Sequence, residues 1–194
     1  FNFRGAGGSA GTFDAGPGEM SDFAAALDFL TSRYPGVKEI WAGGFSFGAW
    51  IALTVGASDD RVTALVGIAP PIGSYDFSTV RHSAKPTFFI QGERDELCPL
   101  GDLRRFYADL PEPKDLVVID GADHLFDAKT IEVGEAVELG GRRITADEEP
   151  VRQAFEWMAG YARKYGVKNI RIFGAAFGNF SSPQNAFLSG RVAM

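Results

Sequence analysis

Two short runs of this chain are apolar almost from end to end, residues 62–70 (VTALVGIAP) and 86–92 (PTFFIQG), and a third, 114–119 (KDLVVI), is apolar after its first two residues. Runs of that length without polar alternation mark strands covered on both faces, which is the situation of a parallel sheet. A shorter run, 39–42 (EIWA), reads the same way. Segments of helical spacing lie between them. In residues 19–33, Met20, Phe23, Ala24, Leu27 and Leu30 share a face with Tyr34, and Pro35-Gly36 ends the helix. Residues 50–56 read as a buried helix and 100–110 as another. Strands alternating with helices over this distance predict an α/β fold, a doubly wound and mostly parallel sheet with helices on both faces.

The rest of the chain is read with less help from periodicity. Residues 128–143 are expected to be irregular or a short hairpin turning at Gly140-Gly141. Residues 148–165 are expected to form an amphipathic helix stopped at Gly166, and 168–173 (KNIRIF) one more strand. No repeat or linker divides the sequence, so residues 1–194 are expected to form a single domain, long enough to bury a real core. The net charge is −6, and the cationic residues are scattered, which argues against a nucleic-acid surface or a polybasic membrane anchor. No apolar run approaches the roughly 20 residues that span a bilayer. Cys98 is the only cysteine, so no intramolecular disulfide can form. Phe1-Asn2-Phe3-Arg4-Gly5 has neither the basic start nor the apolar stretch of a secretory signal, and a cytoplasmic setting is expected.

Two glycine-bearing stretches could carry chemistry. Gly5, Gly7 and Ala10 fit a dinucleotide fingerprint loosely, but that motif must open straight into a helix facing the pyrophosphate. Residues 12–18 intervene, so a structural turn is expected there. The second stretch, Gly44-Phe45-Ser46-Phe47-Gly48, lies between the strand at 39–42 and the helix at 50–56. Gly-x-Ser-x-Gly at such a junction makes a turn so tight that the serine is strained and its hydroxyl stands clear of the sheet. Side chains two before and two after are expected to collide with their neighbours, so both positions call for glycine. In a chain with 24 glycines the bare pattern is cheap; its place at a strand-to-helix junction is what gives it weight.

In an open parallel sheet the carboxyl ends of the strands share one edge, where ligands collect. Ser46 follows one strand, Asp95 the next but one, and His124 the last of the series. A neutral serine hydroxyl needs an imidazole to take its proton, and the imidazole needs a carboxylate to fix its tautomer and stabilise its cation. Singly, Ser46 reads as a helix cap, Asp95 as a turn former and His124 as a surface loop residue. Jointly they read as nucleophile, orienter and base. Of the two histidines, His82 lies before a strand and on the wrong side of Asp95 in chain order. Asp120 and Asp123 crowd His124, and Glu93 and Glu96 flank Asp95; Asp95 is preferred, with Glu93 kept as the alternative. The backbone N–H of Phe47 is the candidate oxyanion donor. Phe45, Tyr75 and Phe77, together with Phe47, are candidates to line an apolar acyl pocket. The connection 71–85 is too short for a lid domain, so the site is expected to be open and shallow.

Over residues 1–126 the chain resembles the small α/β-hydrolases of the dienelactone-hydrolase and short-chain esterase type. Asn2-Phe3-Arg4-Gly5 with Gly8-Ser9, the Ser46 pentapeptide, Ile68-Ala69-Pro70-Pro71, Gln91-Gly92-Glu93-Arg94-Asp95 and Gly121-Ala122-Asp123-His124 carry the similarity. Their order of serine, aspartate and histidine is that of the family. The resemblance implies hydrolysis of a small acyl ester through a serine acyl-enzyme, with neither cofactor nor metal. Dienelactone hydrolases use cysteine at the elbow, so Ser46 shifts the expectation to carboxylesters or thioesters. Two departures stand out. The strands and the oxyanion loop that such proteins carry before the Asn-Phe-Arg-Gly segment are expected to be missing, and residues 140–194 are expected to be atypical. The strand at 39–42 is therefore expected to be an open edge, covered by residues 168–173 and also favouring a homodimer. The alternative function is a non-catalytic binding or regulatory protein on the same scaffold.

Overall fold

The computed structural model describes residues 1–145, which fall into two compact units, Phe1–Val37 and residues 38–145. The helix expected at 148–165, the strand expected at 168–173 and its covering of the open edge lie outside the described residues.

In the first unit the glycine-rich turn leads into helix α1 (Pro17–Arg33). Proline suits the first helical position because its missing N–H would find no partner there. Glu19 is fully buried and completes the start, accepting from the N–H of Gly16 at 2.7 Å and of Asp14 at 2.8 Å. The helix therefore begins two residues before the expected Glu19. Arg4 folds the turn back onto α1. Its backbone N donates to Asp22 Oδ2 and its Nη2 to Oδ1, each at 2.8 Å. These are the bonds of a structural turn.

The second unit runs β1 (Trp41–Phe45), α2 (Phe47–Ser58), β2 (Ala64–Ile68), α3 (Ser78–Arg81), β3 (Thr87–Gly92), α4 (Leu100–Ala108), β4 (Lys114–Ile119) and α5 (Thr130–Thr145). The strands form one sheet in the order β1-β2-β3-β4, every pair parallel. β1 aligns Trp41 with Ala64 and Phe45 with Ile68, while β3 and β4 stay in step from Thr87–Lys114 to Gly92–Ile119.

Alternate residues of the strands bury against different helices. Phe89 meets Phe106 of α4 at a ring distance of 6.3 Å, and a side chain at Gly67 would meet Leu53 of α2 at 2.9 Å. Val66, Phe88 and Ile90 point the other way, into a core shared with Ile119, Phe126 and, from α5, Ala136 and Val137. Helices thus cover both faces, the doubly wound α/β arrangement that the apolar runs imply.

Two expectations are corrected. The strand expected at 39–42 runs on to Phe45, because Gly43 and Gly44 pair with Val66 and Gly67 before the chain turns. Residues 128–143 are no hairpin; most of them belong to α5. Gly140 is a contact point in that helix, where a Cβ would run into the ring of Phe88 on β3. Among the described residues no helix is long and apolar enough to cross a membrane.

Candidate active site

Ser46 sits between β1 and α2 with φ 52° and ψ −122°. A non-glycine residue held there costs about 1–3 kcal/mol and persists only where its surroundings over-determine it. Here they do. The Ser46 N–H donates to Ile68 O on β2 at 2.8 Å, and its carbonyl accepts from Ala49 N at 2.9 Å and Trp50 N at 3.3 Å. The side chain makes no helix-capping bond, so the hydroxyl is left to the site. The two glycines of the pentapeptide are not equivalent. A Cβ on Gly44 would collide with the Gly48 carbonyl and lie 2.7 Å from Ala49 N, all backbone atoms. A Cβ on Gly48 would meet no described atom within 4 Å, so the expected steric need for glycine holds at Gly44 and not at Gly48.

Two loops at the carboxyl ends of β3 and β4 supply the other groups. They are joined by backbone bonds: Glu93 N donates to Ile119 O at 3.0 Å and Arg94 N to Ala122 O at 2.8 Å. The crossing is so close that a Cβ on Gly92 would stand 2.6 Å from Ala122 O and 2.8 Å from Asp123 O. Asp95 and His124 are carried on the two sides of this crossing. The Asp95 carboxylate, whose side chain is 0% exposed, receives four donors. Leu97 N (3.0 Å) and Cys98 N (2.8 Å) bond Oδ1, while Gln91 Nε2 and His124 Nδ1 bond Oδ2, both at 2.9 Å. An ionised carboxylate only accepts, so His124 carries its proton on Nδ1 and presents Nε2 as an acceptor. That nitrogen lies 3.0 Å from Ser46 Oγ.

The rivals are placed elsewhere. Glu93 turns outward and accepts from Gly121 N at 2.9 Å, and Asp123 accepts from Asp127 N at 3.0 Å. His82 is exposed at the end of α3. Asp95, Cys98 and His124 bring ligand-type atoms within 4.8 Å of one another. Asp95 Oδ1 is taken up by two backbone N–H groups, and burial, then the nearby Asp95 charge, push the Cys98 thiol up to about 12. Asp95 and His124 are meanwhile bonded to each other.

Aromatic side chains flank the serine. The Phe45 ring lies 5.1 Å from that of His124 and 6.5 Å from that of Phe126, a buried core residue that anchors the histidine loop. Phe47, at the start of α2, meets Tyr75 at 5.8 Å, and Tyr75 stacks on Trp50 at 4.3 Å. Trp50 Nε1 donates to Asp76 O at 2.9 Å, tying the loop after β2 to α2. Phe77 is corrected out of the pocket wall: it is 3% exposed and packs edge-on to Phe106 of α4 in the interior. Trp50 and Phe126 are not among the expected site residues, and Gln91 enters the sequence reading only as part of a family motif. Gln91 had a visible signal, an amide inside an otherwise apolar strand end; Phe126 had none, since its role depends on the fold.

Residues 16–162 match the model of the dienelactone hydrolase family, beyond the 1–126 over which the motifs are recognisable. An uncharacterized protein of Rickettsia prowazekii is 38% identical over 144 residues, 70% of this chain and 60% of its own length. Among solved structures, an alpha-beta serine hydrolase homologue from Coxiella burnetii superposes with a TM-score of 0.67 at 35% identity, covering 75% of this chain and 67% of that one. A member of the α/β serine hydrolases without lid, from Xanthomonas campestris, gives 0.68 at 34% identity over 76% and 67%. The chain thus spans about three-fifths of the length of the curated relative that it matches.

Proposed function

The chain belongs to the dienelactone hydrolase family, and we propose that it is a serine hydrolase that cleaves small carboxylesters or thioesters through an acyl-enzyme. One observation carries the reading: the unbroken series from Ser46 Oγ to His124 Nε2 at 3.0 Å and from His124 Nδ1 to Asp95 Oδ2 at 2.9 Å. A surface serine, a turn aspartate and a loop histidine have no structural reason to be held in that line.

In the proposed reaction Ser46 Oγ attacks the carbonyl carbon while His124 Nε2 takes the hydroxyl proton. The Phe47 N–H, in the first turn of α2 where the helix dipole is positive, holds the oxyanion. Asp95 stabilises the imidazolium. Collapse of the tetrahedral intermediate expels the alcohol or thiol, which receives the proton from His124. Water then attacks the acyl-enzyme by the same route, releasing the acid and restoring Ser46. Phe45 and the Phe47–Tyr75–Trp50 group supply the apolar walls for the acyl part. The connection after β2 carries only the four-residue α3, which fits an open site without a lid.

A fluorophosphonate probe tests the reading. Labelling of the native protein that disappears in Ser46→Ala is the expected result. Folded protein that takes no adduct overturns it and leaves the binding-scaffold alternative.

A further inference from the structure

Gln91 occupies the next-to-last position of β3 with no exposed surface. Its Nε2 spends both hydrogens, one on Asp95 Oδ2 at 2.9 Å and one on the Cys98 carbonyl at 2.7 Å. Two acceptors on that side fix the amide's orientation, since its own oxygen could bond neither. Among the described residues Oε1 is then left buried with no partner. An unsatisfied buried acceptor costs stability. A local breach of that kind, aimed at the site's carboxylate, is what functional placement looks like.

We propose that Gln91 is a positioning residue: its amide fixes the Asp95 oxygen that His124 uses and tempers how strongly that oxygen holds the imidazole proton. The inference rests on the serine-hydrolase reading of the site. Asp95 Oδ2 divides its acceptance between Gln91 and His124, while Oδ1 is held by two backbone N–H groups. The carboxylate therefore cannot rotate without breaking several bonds, and Oδ2 is a weaker partner for His124 than it would be alone. Other charges near the pair lie outside it. Glu93, Arg94 and Glu96 on one loop and Asp120, Asp123 and Asp127 on the other are exposed, Cys98 stays a thiol, and β1 and α2 carry no ionisable side chain.

The test is the titration of His124, followed by NMR of ring-labelled histidine. The chain has two histidines, and His82→Gln assigns the signals. Gln91→Met keeps the volume and removes the donor. The His124 midpoint should rise by about half a unit to one unit, a three- to tenfold gain in proton affinity. The acid limb of kcat/KM for p-nitrophenyl acetate should move with it. In an Asp95→Asn background, Gln91→Met should shift nothing. An unmoved or lowered midpoint in a folded Gln91 variant overturns the proposal, as does an equal shift in the Asp95→Asn background. The titration needs no turnover. Wild type that resists the fluorophosphonate sinks the hydrolase reading, whereas a labelled wild type with an unmoved midpoint sinks the role of Gln91 alone.

Discussion

Alanine at Gly44 and alanine at Gly48 should have opposite effects, although both positions belong to one sequence pattern. A Cβ at Gly44 would be driven into the Gly48 carbonyl and would lie 2.7 Å from Ala49 N. These atoms belong to the first turn of α2, so relief requires moving the helix start away from β1. Overpacking of this kind costs about 1–3 kcal/mol. At about 2–4 °C per kcal/mol for a chain of this size, that is a loss of several degrees in melting temperature. The larger effect should fall on the site, because Ser46 lies between the two colliding segments. A displacement near 1 Å costs on the order of a hundredfold in rate. At Gly48 a Cβ meets no described atom within 4 Å, and the residue lies in the helix. Alanine there should stabilise by up to about 1 kcal/mol through helix propensity. Thermal melts and fluorophosphonate labelling rates on both variants decide the matter. The reasoning fails if Gly44→Ala melts and labels like wild type, or if Gly48→Ala is equally damaged.

Acid should separate an ion pair from simple burial. Asp59 is held below the ordinary carboxylate range, first by the side-chain hydrogen bond from Arg61, so its contribution to stability is complete above about pH 4 and drains as the pH falls through its lowered folded value. The urea midpoints of wild type and Asp59→Asn should therefore differ at neutral pH and converge on acidification; a constant gap would refute this. Cys98 should resist iodoacetamide at neutral pH in the native protein and react only on unfolding, because burial pushes its thiol up to about 12. Rapid alkylation without loss of structure would contradict it.

The parallel strands were legible because burial on both faces leaves no polar alternation, and β4 keeps the bounds that the KDLVVI run suggests. Helix ends with local chemistry, such as Pro35-Gly36 after α1, were legible too. What failed was decided by packing between distant segments. Gly140 in α5 offends helix propensity and reads as a turn, yet its missing side chain makes room for Phe88 from a strand about fifty residues earlier. Gly43 and Gly44 look like the beginning of the elbow, but their ladder partners on β2 keep them in β1. The order of Ser46, Asp95 and His124 could be read from strand ends alone. The distances between them, the four donors on Asp95 and the burial of Phe77 could not, since each depends on where two loops cross.

That crossing has a consequence for how the site could change over time. The loops bearing Asp95 and His124 are fastened by two main-chain bonds and by the Glu93 carboxylate on Gly121 N, and a side chain at Gly92 would pry them apart. Main-chain fastening is indifferent to which residues stand at 94 and 96. Both positions are exposed, so their chemistry can drift while the spacing beneath stays constant. The loop pair is a fixed mount whose outer positions are free to change without rebuilding it.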